Sequence, residues 1–244
     1  MDCYRGLFKA AFLRSLWFVG LLFFIADIAY PVSSRLTRLS AVCLFFVLWC
    51  GLIGLLWQKR FVRFTLVAMT AAIAFFLMLP ARALPNDATL SADYITSLRR
   101  YEGVRYYWGG ESPRGIDCSG LVRRGLVDGL FWSGVRRLDA GLVRHSLSLW
   151  SNDCSAEALG AQHAGLTKHI LDTPSINALD HTSIQPGDLA VTSSGGHVMA
   201  YLGANTWIEA DPYIGRVVSE VAPSSSNGWF QMQMRIVRWS IMQP

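Results

Sequence analysis

Cys118 and His197 are the residues whose types and surroundings most directly suggest chemistry. Cys118 follows Gly115-Ile116-Asp117 and opens a predicted helix, where the helix macrodipole and free backbone N–H groups stabilise a thiolate. The same N–H groups would bind the oxyanion of an acyl-transfer intermediate. His197 opens an alternating segment that predicts a strand, and a histidine brought near the thiol would be its general base. Each residue taken alone is also compatible with a structural role.

Two acidic residues, Glu209 and Asp211, are candidates for orienting the imidazole. Residues 203–205 (GAN) predict a hairpin turn, and the resulting register places both carboxylates on the same face of the sheet as His197. A turn one residue different would put Ala210 there instead. Both acids are also compatible with ordinary solvated carboxylates.

Three blocks of sequence resemble, in this order, the signature of the NlpC/P60 cell-wall peptidases. The first joins an aromatic-glycine motif to the cysteine motif, the second is a Pro-Gly turn before a strand, and the third is the histidine strand. The blocks are residues 106–110 (YYWGG) with 115–122 (GIDCSGLV), residues 185–189 (QPGDL) and residues 197–203 (HVMAYLG). The resemblance covers roughly residues 91–239.

The resemblance implies a papain-like fold and hydrolysis of amide bonds in peptidoglycan stem peptides, often beside a D-amino acid. It makes Cys118 the nucleophile and His197 the base. The third polar residue of the family is commonly His, Asn or Gln, about twelve positions after the base, where this chain has Glu209. This departure implies a differently tuned site, and Asp211 remains the alternative third residue.

Three further residues are expected on the substrate and oxyanion side through the same resemblance. Asp117 resembles the acid that can meet a free substrate amine. Tyr106 matches the tyrosine that lies near the oxyanion in similar enzymes. Ser119, the next residue of the cysteine motif, is placed with them.

Composition indicates that part of the chain lies in a lipid bilayer. The sequence is 52% hydrophobic and 16% charged, against about 25% charged in a typical soluble domain. Apolar stretches at residues 7–30, 39–58 and 64–81 each approach the roughly 20 residues that a spanning helix needs. We therefore expect a membrane domain over residues 1–84 and a catalytic domain over residues 85–244.

Loop charges predict the orientation of the three spans. Six Lys or Arg fall before or at the start of the first span and in the second loop, whereas three fall in the first loop and after the third span. The positive-inside rule then puts the N-terminus in the cytoplasm and the catalytic domain outside. The expected location is a bacterial inner membrane, with the catalytic domain facing the periplasm or the exterior.

The order of elements after residue 85 predicts an α+β fold, with helices packed on an antiparallel sheet. A helix is expected from an N-cap at Ser91 to Tyr101, and mostly helical structure from residue 130 to residue 171 with a break at 151–155. Residues 176–185 read as a loop. Strands are predicted at residues 188–192, 197–202, 206–210 and 232–239.

Several other classes of function are disfavoured. The chain lacks a CxxC motif and its histidines are irregularly spaced, so neither a metal site nor a cofactor is expected. Residues 1–84 carry nine Lys or Arg and two acids, whereas the remainder carries thirteen Lys or Arg and fifteen acids. The basicity therefore belongs to the membrane part and gives no support to nucleic-acid binding.

Some alternatives stay open at this point. A Cys118–Cys154 disulfide is possible outside the cytoplasm, and Ala81-Arg82-Ala83 has the form of a signal-peptidase site. The same fold would suit a thiol acyltransferase or a lipid-acting enzyme, while the domain could instead be a non-catalytic cell-wall-binding module, or a toxin delivered to competitors. Residues 130–183 match no pattern and could shape the substrate groove or dock a regulatory protein. The tryptophans Trp132, Trp150, Trp229 and Trp239 are expected in the core.

Overall fold

The computed structural model describes residues 2–83 and 87–242. It separates two compact units, with the division between Leu79 and Pro80. The domain boundary predicted between residues 84 and 85 lies outside the described residues.

The first unit contains three long helices: α1 at Asp2–Ala29, α2 at Arg35–Leu55 and α3 at Arg60–Met78. By length and composition all three are apolar enough to cross a membrane, and they coincide with the three predicted spans. Hydrogen bonds join neighbouring helices, because the indole Nε1 of Trp17 donates to the carbonyl of Leu48 and that of Trp49 donates to the Thr70 hydroxyl. Such bonds are worth most where water does not compete.

The second unit is an α+β fold, as predicted. Its helices are α4 (Asp87–Arg99), α5 (Cys118–Arg137), α6 (Ala140–Ser151) and α7 (Ala156–Gly160). A two-stranded ribbon, β1 (Glu111–Ser112) and β2 (Gly115–Ile116), precedes α5. The remaining strands are β3 (Thr167–Thr173), β4 (Leu189–Thr192), β5 (Val198–Gly203), β6 (Thr206–Asp211), β7 (Arg216–Val221) and β8 (Met234–Trp239). They form one six-stranded sheet in the order β3-β8-β4-β5-β6-β7, with neighbours antiparallel.

Helix α5 packs its apolar side against the sheet, and this contact brings the cysteine to the histidine strand. Leu121 and Val122 of α5 share a core with Val198 and Ala200 of β5. Met199 belongs to a separate core, because successive strand residues point to opposite faces. The start of β5, beside His197, and the first turn of α5, which begins with Cys118, are therefore held by the same hydrophobic core.

The register predicted for the β5–β6 hairpin is confirmed, but the turn differs. Ala200 pairs with Ile208 and Tyr201 with Trp207, as the sequence predicts, whereas Gly203 rather than Leu202 pairs with Thr206. The turn proper is Ala204-Asn205, with φ of 48° and 58°, as in a type I′ turn. A bulge at residue 202 absorbs the extra position and restores the expected register.

Other expectations about elements were wrong. Ser91 does not cap a helix, because α4 already begins at Asp87. The segment predicted as helical up to residue 171 instead enters β3 at Thr167. Strand β7 was not predicted at all. Both strands lie at the edges of the sheet, where one side lacks a partner strand and the alternation of apolar residues is weak.

Candidate functional site

The N-terminus of α5 is built by Asp117, which caps the helix. Oδ1 of Asp117 accepts hydrogen bonds from the Gly120 N–H at 2.6 Å and from the Ser119 hydroxyl at 3.0 Å. Oδ2 accepts from the Gly109 N–H at 2.8 Å. Both Asp117, expected to meet a substrate amine, and the Ser119 hydroxyl are thus already engaged in holding the Gly-rich loop against the helix.

Glycines in the two motifs allow a very close approach of backbones. A Cβ on Gly120 would lie 2.2 Å from the Gly110 carbonyl oxygen, and that same oxygen accepts from the Asp117 N–H at 3.0 Å. This approach explains why the Trp-Gly-Gly and Asp-Cys-Ser-Gly motifs occur together. It also fixes Cys118 as the first residue of α5.

Backbone donors are left at the start of α5 beside Cys118. The first intrahelical bond runs from the Leu121 N–H to the Asp117 carbonyl, and the Gly120 N–H is used by the Asp117 side chain. The N–H groups of Cys118 and Ser119 occupy the first two positions of the helix, which have no intrahelical acceptor. They are the donors that this geometry offers to an oxyanion.

A second side chain anchors the ribbon to α5 from within the protein. Arg123 is 2% exposed, and its guanidinium lies 3.4 Å from Glu111 of β1 and 3.0 Å from Asp153. It also donates to the carbonyls of Leu149 and Asn152. A buried charge is tolerated when it is paired and hydrogen-bonded in this way.

The turn between β4 and β5 places His197. The backbone N–H of His197 donates to the Thr192 hydroxyl at 3.0 Å, and the backbone carbonyl of His197 accepts from the Thr192 N–H at 3.0 Å. The residue is 1% exposed, and the Cys118 side chain lies close enough to its imidazole to help raise the pKa of the ring. The two residues singled out from the sequence are therefore brought together.

Glu209, not Asp211, lies against the imidazole. Nε2 of His197 and Oε2 of Glu209 are 2.5 Å apart, which leaves Nδ1 as the ring nitrogen for Cys118. Asp211 lies further along β6, where its Oδ1 accepts from the N–H groups of Tyr213 and Ile214. Asp211 thus stabilises the β6–β7 turn.

The environment of His197 favours its protonated form. Burial of the ring disfavours the charge, but hydrogen bonds and charge interactions with Cys118 and Glu209 outweigh this effect and raise the pKa of His197 to about 9. An imidazolium is the charge partner that a reactive thiolate requires. The site therefore supports an imidazolium beside Cys118 at neutral pH.

Tyr106 lies near the same thiol. Burial raises the pKa of its hydroxyl to about 12, aided by the negative charges of Cys118, Asp117 and Asp211. The hydroxyl thus stays protonated at working pH and can donate a hydrogen bond.

Two residues of the site, Asn227 and Trp229, were not predicted. The Trp229 indole is stacked on the His197 imidazole, with ring centroids 4.1 Å apart and planes at 14°, whereas the sequence interpretation placed Trp229 in the core. Asn227 donates to Oε1 of Glu209 at 2.6 Å. They lie in an irregular segment after β7, and no periodicity or motif in the sequence indicated these contacts.

Other features of the site bear on the alternatives. Cys118 and Cys154 are both free thiols, so the possible disulfide is not formed. Among the described residues, no group of three or more His, Cys, Asp or Glu is arranged to hold a metal ion. A cleft of about 510 Å³ lies beside Trp229 and Asn227 and is also lined by Asp211, Tyr213 and Met232, among others.

Comparison with known proteins supports the resemblance at the cysteine block. Residues 103–129 match the model of the NlpC/P60 family. Over this stretch the chain is similar to the NlpC/P60 family. The stretch contains the YYWGG and DCSGL motifs, Tyr106 and Cys118, whereas His197 and Glu209 lie beyond the match. No curated protein is significantly similar to the chain.

Several solved NlpC/P60 structures are similar at low identity. The peptidoglycan hydrolase RipB from Mycobacterium tuberculosis is 21% identical, with a TM-score of 0.40 and coverage of 63% of this chain and 66% of RipB. The P60 domain of an antigen from M. avium subspecies paratuberculosis is 22% identical, with a TM-score of 0.40 and coverage of 65% and 98%.

An NlpC/P60 family protein from Bacillus cereus is 17% identical, with a TM-score of 0.40. The similarity covers 66% of this chain and 41% of the B. cereus protein. This chain therefore spans well under half of that relative's length.

Proposed function

We propose that the protein is a membrane-anchored cysteine hydrolase that cleaves amide bonds in peptidoglycan stem peptides. The observation that carries the proposal is one set of contacts. Cys118 at the start of α5 meets His197, whose other ring nitrogen is held by the buried carboxylate of Glu209. The match to the NlpC/P60 family around Cys118 supports the substrate class.

In the proposed mechanism, His197 takes the proton of the Cys118 thiol on Nδ1. The thiolate then attacks the carbonyl carbon of the scissile amide, and the carbonyl becomes an oxyanion. The N–H groups of Cys118 and Ser119 and the Tyr106 hydroxyl are the donors available to it. Collapse of this intermediate breaks the C–N bond, and the imidazolium gives its proton to the leaving amine.

Deacylation in this scheme reuses the same groups. Water loses a proton to His197 and attacks the thioester, which releases the acid and regenerates the thiol. Of the reacting groups, Glu209 touches only the imidazole, and it acts as the positioning residue of that ring. A carboxylate orients the ring as an amide would, and it also stabilises the imidazolium by its charge.

We also propose that residues 1–84 anchor the enzyme and that residues 85–244 form its catalytic domain. Three helices with the length and composition of membrane spans support the anchor. The distribution of Lys and Arg supports a cytoplasmic N-terminus and a catalytic domain facing the periplasm or the exterior. This arrangement would keep the hydrolase beside its wall substrate.

The test is digestion of purified peptidoglycan by the full-length protein in detergent, with Cys118→Ala as the matched control and products separated by mass. We expect new peptide fragments from the wild type alone, and their masses identify the bond cleaved. If the wild type and Cys118→Ala give the same product profile under reducing conditions, the proposal is wrong. Acyl transfer to lipid would then become the next activity to assay.

A further inference from the structure

The segment between β7 and β8 approaches the His197–Glu209 pair from two directions. Within it, Asn227 is 6% exposed and contacts the carboxylate, whereas Trp229 contacts the ring. These contacts lie outside the stretch that matches the NlpC/P60 family, and the mechanism above does not use them.

Asn227 uses both ends of its amide. Its Nδ2 donates to Oε1 of Glu209 at 2.6 Å and to Oε2 of Glu220 at 2.9 Å. Its Oδ1 accepts from the Trp229 N–H at 2.9 Å. With His197 on the other oxygen of Glu209, both carboxylate oxygens are held, and a buried carboxylate needs such donors to remain charged.

Trp229 covers one face of the imidazole. The nearly parallel stack at 4.1 Å excludes water from that face of the ring. An aromatic face also attracts a cation, so the stack favours the imidazolium. Since Asn227 binds the backbone of Trp229, a single side chain couples the two restraints.

We propose that Asn227 and Trp229 are the positioning residues of the Cys118–His197 site: Asn227 fixes Glu209 against the imidazole, and Trp229 shields and orients the ring. This inference rests on the proposed function only in taking Cys118 and His197 as the reacting pair. It assigns to the β7–β8 segment the task of holding the buried Glu209 carboxylate against the imidazole.

The titratable groups that face His197 are Cys118 from α5 and Glu209 from β6. Glu220 of β7 reaches this pair through Asn227, and Asp211 of β6 is held by its own turn. Removal of Asn227 leaves Glu209 without its second donor and beside Glu220. Glu209 is then no longer held against the ring, so its carboxylate stabilises the imidazolium less.

The test compares two alkylating reagents on Cys118 of the full-length protein in detergent. Iodoacetate is an anion and reacts faster beside an imidazolium, whereas neutral iodoacetamide is indifferent to that charge. The ratio of the two rates, measured against pH and assigned to Cys118 by peptide mapping, reports the charge of His197. It requires no knowledge of the substrate.

In the wild type we expect the ratio to fall as the pH rises through about 9. Asn227→Leu should move this fall to lower pH by about one unit, because the imidazolium loses part of its stabilisation by Glu209. Trp229→Leu admits water to the ring, which weakens the hydrogen bonds and charge interactions that raise the pKa of His197. The fall in the ratio should therefore move toward pH ~6.5 by about one unit or more. Trp229→Phe, which keeps an aromatic face, should recover most of the wild-type profile.

Asn152→Leu and Trp132→Leu remove the same groups from exposed positions away from the site and should behave as the wild type. The inference is overturned if folded Asn227→Leu and Trp229→Leu, checked by thermal unfolding, keep the wild-type profile. If Asn227→Leu does not fold, Trp229→Leu decides the matter. The expected shifts in both variants, without peptidoglycan cleavage by the wild type, would refute the proposed substrate and leave this inference standing. A wild-type ratio independent of pH would refute this inference whether or not peptidoglycan is cleaved.

Discussion

At the scale of single residues, the unusual feature is a glutamate where similar sequences commonly have His, Asn or Gln. Glu209 lies 2.5 Å from Nε2 of His197 and is 1% exposed. At low dielectric a carboxylate stabilises an imidazolium far more than a neutral amide does. The carboxylate therefore changes the pH range in which the imidazolium exists.

Glu209→Gln tests this effect because it keeps the shape and the hydrogen bond but removes the charge. The carboxylate helps to raise the pKa of His197 to about 9, so its loss should shift the alkaline limb of Cys118 alkylation to lower pH by about one unit or more. The measurement is the pH profile with iodoacetate. Asp211→Asn is the matched control, and equal shifts in both variants would argue against Glu209.

The raised pKa of His197 also predicts how the stability of the protein depends on pH. The pKa of His197 is raised in the folded protein above its unfolded value of ~6.5, so the folded state binds the proton more tightly. This contribution is fully present below pH ~6.5 and is lost as the pH rises through about 9. We expect a loss on the order of 3 kcal/mol across this window, measured as a fall in melting temperature. His197→Gln should lack the decrease, and an identical decrease in that variant would contradict the assignment.

At the scale of elements, the site depends on one close contact between the glycine-rich loop and the start of α5. Gly120 has no room for a side chain, because a Cβ would meet the Gly110 carbonyl at 2.2 Å. Backbone cannot give way as a flexible side chain can. The loop, the cap of Asp117 and the position of Cys118 are therefore coupled.

Gly120→Ala should separate the loop from α5 and destabilise the second unit by roughly 2–4 kcal/mol, as expected for overpacking against backbone. Thermal unfolding and the rate of Cys118 alkylation are the measurements. Gly228→Ala, at a glycine with nothing within 4 Å of an added Cβ, is the control. If Gly120→Ala melts and reacts like the wild type, the contact does not position Cys118.

The sequence predicted the central elements of this site better than the edge strands of the sheet. It predicted the helix that begins at Cys118, the β5–β6 register and the face on which Glu209 lies. These features follow local rules, namely a helix cap and the alternation of residues along a hairpin. β3 and β7 were missed because edge strands lack strong alternation. Asn227 and Trp229 were missed because an irregular segment reaches the histidine only through tertiary packing, which no local pattern encodes.

At the scale of the whole molecule, three apolar helices precede the unit that contains Cys118. By length and composition these helices can each cross a membrane. If all three do, the two ends of the chain lie on opposite sides of it. The cluster Lys59, Arg60 and Arg63 follows the second span and should remain in the cytoplasm.

A protease-accessible tag placed after residue 244 tests this topology. We expect the tag to be cleaved by protease added to intact spheroplasts, because the catalytic domain should lie outside. A tag before residue 1 should be cleaved only after lysis, and it serves as the matched control. Protection of the C-terminal tag until lysis would contradict the proposed orientation.

The most direct test of the central claim is intact-mass analysis of the full-length protein mixed briefly with peptidoglycan peptides and quenched in acid. If Cys118 is the nucleophile of an amide hydrolase, a fraction of the wild type should gain the mass of an acyl fragment. Peptide mapping should place this fragment on Cys118, and Cys118→Ala should gain none. An adduct on another residue, or new peptide products from Cys118→Ala, would contradict the account.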